Sequence, residues 1–208
     1  HTRLHALPPL QPVSLQALRN LRAPVRALLR PCPCRLLARR LAADKKQGDL
    51  AMLLKSRADP NALVQVDWRE YATAPLFEAA VSGHTRIAKM LLAARANIDQ
   101  RIGPGYTPLY NAAFQGHLDT VRLLTESNAD VNLSTDDHFS PLYIACQEGH
   151  TDCALTLLKH NAKPDHARPD EGATPLYIAS QNGRAPCVEA LIHHGATIDL
   201  PMLEGSTP

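Results

Sequence analysis

The sequence predicts an all-α fold, a solenoid of stacked helix–turn–helix pairs joined by hairpin fingers. Three observations predict it. The prolines Pro75, Pro108, Pro141, Pro175 and Pro208 are spaced 33, 33, 34 and 33 residues apart. The first four are each followed by Leu and an aromatic, with Ala four residues and Gly eight residues after the Pro. Each copy then carries an amphipathic run with an apolar pair near its end. A fixed period of this size marks repeats that cannot bury their apolar face alone and do so against their neighbours. The paired helices are expected over about 75–96, 108–129, 141–162 and 175–196.

Each element has a local cause. Thr107, Ser140 and Thr174 are N-cap residues, and the following Pro takes the first helical position, where a missing N–H costs nothing. Ala79, Ala112, Ala145 and Ala179 are small enough for helices to approach closely. Gly83, Gly116, Gly149 and Gly183 end the first helix, where a left-handed residue is wanted. The second helix is expected to bury Leu91 and Leu92, Leu123 and Leu124, Leu157 and Leu158, Leu191 and Ile192. Its own left-handed terminus suits Gly195, Asn128 and Asn161. Arg95 occupies the same position in the first copy and predicts local strain or a different terminus. Thr125 stands where other copies carry Leu92, Leu158 and Ile192, so the second repeat is expected to pack less well.

The chain upstream of the repeats differs in character. Residues 1–35 are rich in Leu, Pro, Ala and Arg, and the first acid of the chain is Asp44. Pro24, Pro31 and Pro33 interrupt any helix there. A disordered leader is the expectation. An Arg-rich organelle-targeting peptide and a basic membrane or nucleic-acid arm are the alternatives. Residues 36–61 read as a degenerate first repeat, since GDLAMLLKSRADPN carries a shortened second-helix pattern. Full repeats then span 74–106, 107–139, 140–173 and 174–206, with 207–208 opening another. The start at His1 and the stop at Thr207-Pro208 lead us to expect a piece of a longer protein. Of the fingers, the one from Ala58 to Pro75 is longest, and it holds the lone tryptophan, Trp68.

Net charge is +2, but eight arginines precede Asp44, which leaves the remainder at −6. A mildly acidic repeat body argues against nucleic acid as its main partner. No apolar run approaches the ~20 residues needed to span a membrane. The five cysteines suggest no disulfide framework. Cys153 and Cys187 hold equivalent positions in adjacent repeats, and helices stack roughly 8–10 Å apart, too far for a disulfide. Free thiols suit a reducing compartment, the cytoplasm or nucleus.

Chemistry-bearing patterns are sparse. His84, His117 and His150 recur once per repeat and cannot share a metal whose bonds to nitrogen are ~2.0–2.1 Å, so a structural role is expected. Cys32-Pro33-Cys34 lacks a second pair. Asn132-Leu133-Ser134 is the one glycosylation sequon. P-loop, nucleophile-elbow, HExxH and dinucleotide fingerprints do not occur. No catalytic residue, cofactor or metal is expected.

The recurring TPLYNAA, SPLYIAC and TPLYIAS openings with their downstream Gly resemble ankyrin repeats, well over 74–208 and poorly over about 41–61. Phe77, Tyr110, Tyr143 and Tyr177 replace the histidine usual in that motif. They are expected to pack as an aromatic ladder along the stack. The resemblance implies a non-catalytic interaction scaffold or adaptor, monomeric, whose partner is another protein. The alternative is a regulatory arm of a larger enzyme or channel. It also implies that partners lie against the fingers and the exposed face of the first helices. By position, that face comprises Glu78, Val81, Ser82, Asn111, Phe114, Gln115, Ile144, Gln147, Glu148, Gln181 and Asn182. Finger-tip candidates are Trp68, Arg69, Tyr71, Arg101, Ile102, Asp136, Asp137, His138, Arg168 and Asp170. Trp68 and Phe114 are the leading contacts, because aromatics and arginine carry most interface energy.

Overall fold

The computed structural model describes residues 59–63, 65 and 71–208, all within one compact unit. The expectations for the leader, for residues 36–58, and for Trp68 and Arg69 lie outside the described residues. Among the described residues, eight helices form four consecutive pairs. They are α1 (Pro75–Val81) with α2 (Thr85–Ala93), α3 (Pro108–Phe114) with α4 (Leu118–Glu126), α5 (Pro141–Glu148) with α6 (Thr151–Lys159), and α7 (Pro175–Gln181) with α8 (Ala185–His193). The first helices stack in the order α1, α3, α5, α7, and the second helices stack behind them as α2, α4, α6, α8.

The caps explain where the helices start and stop. The hydroxyls of Thr107, Ser140 and Thr174 accept from the N–H groups of Tyr110, Tyr143 and Tyr177, each at 3.1 Å. Ala74 stands at the same place with no side-chain bond. Gly83, Gly116, Gly149 and Gly183 follow the first helices at φ 66, 73, 84 and 64°. Gly116 is required twice over. A Cβ there would also meet the His150 ring at 2.6 Å. Arg95 does adopt the left-handed conformation, at φ 65°, beside Asn128 at 65° and Asn161 at 68°. That geometry costs an ordinary side chain about 1–2 kcal/mol, so the expected strain is present.

The core is a repeated layer. Leu91, Leu124, Leu157 and Leu191 are fully buried, as are Ala79, Ala112, Ala145 and Ala179. Each such leucine contributes about 1.5–3 kcal/mol by leaving water. The neighbouring position is less regular. Leu158 is buried, Leu92 and Leu123 are half-buried, and Ile192 is 43% exposed. Thr125 corrects the expectation of a loose second repeat. It is 5% exposed, and its hydroxyl donates back to the carbonyls of Val121 and Arg122 at 3.0 Å. A satisfied hydroxyl can be buried at little cost, so the site closes around Thr as it does around Leu.

Two polar ladders run along the stack. The histidines form one. His117 Nε2 bonds the Val81 carbonyl at 3.1 Å and His150 Nε2 bonds the Phe114 carbonyl at 3.0 Å. In the fourth repeat Arg184 takes over, its Nε donating to the Gln147 carbonyl at 3.3 Å. The carbonyls accept, which fixes both imidazoles as the Nε2–H tautomer. The second ladder joins the finger bases. Asn61, Asp99, Asn132 and Asp165 accept from the N–H groups of Asn97, Asp130, Lys163 and Thr197. Through Asn61 it ties the described end of the first, degenerate segment to the repeats. Burial raises the pKa of Asp99, opposed by the bond from Asp130.

The aromatics do not form the expected ladder. Phe77 packs with Ala74 and Ile102 in a small separate cluster. Tyr110 and Tyr143 instead meet the aromatic residue just before their own N-cap. Tyr106 stacks on Tyr110 at 5.3 Å and Phe139 tilts against Tyr143 at 5.5 Å. At these two junctions the end of one repeat's finger thus packs on the first helix of the next repeat. Burial beside Tyr106 pushes the Tyr110 phenol up to about 12. Ile102 and Tyr106 form an antiparallel β-bridge and Thr73 also takes part in a bridge, while the later fingers are turns.

Candidate protein-interaction surface

The face formed by α3, α5, α7 and the fingers is where side chains remain available. Phe114 is 38% exposed, unusual for an aromatic on a short helix. Gln115, Gln181 and Asn182 are exposed, while Asn111, Gln147 and Glu148 are half-buried. Asn111 Nδ2 donates to the Thr107 carbonyl at 3.2 Å, and Asn182 Nδ2 donates to the Gln147 carbonyl at 3.3 Å. Gln147 Nε2 donates to Glu148 at 3.1 Å. These amides are therefore held in place before any partner arrives. Arg101 is exposed and pairs with Asp136 of the next finger at 2.7 Å.

Three expected surface residues are interior. Glu78 is 3% exposed and accepts from the Thr73 hydroxyl at 2.8 Å. Ile144 is 4% exposed in the main core, and Ile102 is 2% exposed in the small cluster with Ala74 and Phe77. Tyr71 is half-buried, its ring 6.4 Å from Tyr106 and against Gly103.

The third and fourth repeats hold a cleft of about 570 Å³. Phe139, Tyr143 and Tyr177 line it from the helix side, with Gln147 and Gln181 from α5 and α7. The fingers add Arg168, Asp170, Glu171, Met202, Leu203 and Glu204. The two fingers are tied together by the Leu203 N–H donating to the Glu171 carbonyl at 2.9 Å. Arg168 sits over the Phe139 ring at 4.3 Å while pairing with Asp170 at 2.5 Å and Glu171 at 3.2 Å. Its Nε is buried with no partner. Burial raises the Tyr143 phenol, and Arg168 opposes that.

Sequence reading found Arg168, Asp170, Gln147 and Gln181 but missed Phe139, Glu171, Met202, Leu203 and Glu204. Two signals were present. An aromatic precedes the N-cap at Tyr106 and again at Phe139. The 34-residue spacing before Pro175 marks one extra residue in the finger that carries Arg168.

The cysteines lie elsewhere. Cys146, Cys153 and Cys187 are free and buried. The neighbour of Cys187 is Cys146, not Cys153. The neighbouring Cys187 and burial raise the Cys146 thiol, while Cys146 and Thr151 pull Cys187 down against the effect of burial. Burial pushes Cys153 up to about 11.

A family profile described as ankyrin repeats, three copies, matches residues 40–135 and 128–202. The chain belongs to the ankyrin-repeat family. Ankyrin repeats generally mediate protein–protein interactions, and the fold is typically non-catalytic. A search of curated proteins finds no match. The ankyrin match reaches upstream to residue 40, into the segment read as degenerate. Among the described residues no helix is long and apolar enough to cross a membrane.

Proposed function

We propose that this chain is a non-catalytic scaffold or adaptor that binds another protein on the face formed by the fingers and the first helices. The observation that carries this reading is the cleft of the third and fourth repeats. It combines aromatic faces with carboxylates and pre-positioned amides, which is recognition chemistry. Phe114, one repeat earlier, extends the same face with exposed apolar area. Three buried free thiols support a reducing compartment, the cytoplasm or nucleus. We read the molecule as a monomer.

The test is affinity capture with the 208-residue chain, followed by identification of what binds. The reading expects a protein whose capture is lost with Phe114→Ala plus Gln181→Lys and kept with Glu189→Lys on the opposite helix layer. Binding that ignores the first pair and fails with Glu189→Lys would put the interface on the other side. The regulatory-arm reading places the same interface within a longer polypeptide, and the full reading frame decides between the two.

A further inference from the structure

The cleft of the third and fourth repeats carries an electrostatic preference that the protein-binding reading does not specify. Its lining holds three carboxylates, Asp170, Glu171 and Glu204, against one cation, Arg168. Arg168 pairs with the first two. Glu204 bonds only the Ser206 hydroxyl, at 2.9 Å through Oε1, and is exposed. Glu171 lines the cleft with its side chain 52% exposed, and Arg168 engages it through Oε2. Beside them stand the half-buried Tyr177 ring and Met202.

Arg168 shows how the cleft treats a guanidinium. Its guanidinium carbon sits over an aromatic ring, 4.3 Å from the centroid, with carboxylates at its nitrogens. That combination is favourable because a ring face attracts a cation and a carboxylate bonds a guanidinium in its own plane. The adjoining half of the cleft repeats the ingredients: Tyr177 as the ring, Glu171 and Glu204 as the carboxylates. It lacks the cation.

We propose that this half of the cleft receives a basic side chain, arginine or lysine, presented by a segment of the protein partner. The alkyl stem lies on Tyr177 and Met202, and the charged end reaches Glu171 and Glu204. An acidic partner segment is disfavoured, since the net charge of the lining is negative and Arg168 is already neutralised. This rests on the protein-binding reading and adds a chemical class to it.

The test uses a positional-scanning library of acetylated decapeptides, with the 208-residue chain as the binder. Peptides enriched in Arg or Lys at one position are expected. Replacing that residue by citrulline or norleucine in a selected peptide should remove the gain. Glu204→Gln leaves the ion pairs of Arg168 in place and should weaken the selected peptide about fivefold, the upper range for a partly exposed pair. Glu171→Gln with Glu204→Gln should weaken it further, and raised salt should act in the same direction. Selection of neutral or acidic peptides, or Arg/Lys enrichment indifferent to Glu204→Gln, overturns the proposal while protein binding stands. Selection of no peptide also overturns it, and the wider reading then rests on the capture experiment alone.

Discussion

Repeat-to-repeat locking through histidine makes a quantitative prediction at Gly116. Replacing it with Ala forces a side chain into φ 73°. The left-handed penalty of about 1–2 kcal/mol is partly offset by the lost flexibility of Gly in the unfolded chain, leaving roughly 1 kcal/mol. The new methyl also arrives 2.6 Å from the His150 ring, closer than any carbon contact allows, so the ring must move. Moving it breaks the bond to the Phe114 carbonyl at 3.0 Å, worth about 1 kcal/mol, and disturbs local packing. Gly116→Ala should therefore cost about 2–3 kcal/mol. His150→Ala alone should cost about 1 kcal/mol. In the double variant the methyl has space, so only the backbone term is added. Urea denaturation of all four proteins at constant m gives the coupling, expected at about 1–2 kcal/mol with the double variant more stable than the sum. Gly183→Ala is the reference, because a Cβ there meets nothing within 4 Å. Additive costs at Gly116 and His150 would refute the idea that the histidine wedges against the preceding repeat's turn.

Arg95→Gly relieves the left-handed strain without touching the Arg95 carbonyl that accepts from Asn61. It should raise stability by up to about 1 kcal/mol, read as a higher urea midpoint. Phe114→Ala should weaken partner binding by ~2 kcal/mol or more while leaving the far-UV helical signal intact. An unchanged affinity would return Phe114 to a purely structural role. The terminal repeat of this chain should open first, since Ile192, Ile198 and Leu203 are 43, 55 and 74% exposed and nearest-neighbour coupling keeps the loss local. In a Cys32→Ser, Cys34→Ser background, maleimide should modify Cys187 ahead of Cys153, both being buried when closed. Equal rates for the two would mean that the repeats open together.

Much of the fold was legible because the repeat is periodic. The Pro-Leu opening, the Ser or Thr before it and the Gly eight residues on each act within their own turn. Thr107, Ser140, Thr174 and the four turn glycines therefore behave as local chemistry dictates. What failed required knowledge of the neighbouring repeat. Glu78 reads as a surface residue by position but is buried, its carboxylate accepting from the Thr73 hydroxyl. Thr125 looks like a packing defect, yet bonding back to its own helix removes the cost of burial. Tyr110 and Tyr143 are claimed by the aromatic before their N-caps, a pairing between finger and helix that no single-helix periodicity reveals. The cleft was half visible for the same reason. Gln147 and Gln181 follow from helix position, but Met202, Leu203 and Glu204 join them only once two fingers bond to each other.

Amide hydrogen exchange on the chain with and without its captured partner tests the central claim most directly. Protection on binding should fall on residues 110–116, 139–148, 168–182 and 202–206, on the first helices, the fingers and the cleft. The second helices, 85–93, 118–126, 151–159 and 185–193, should be unchanged. Protection confined to the second helices, with the cleft exchanging as in the free chain, would contradict the account.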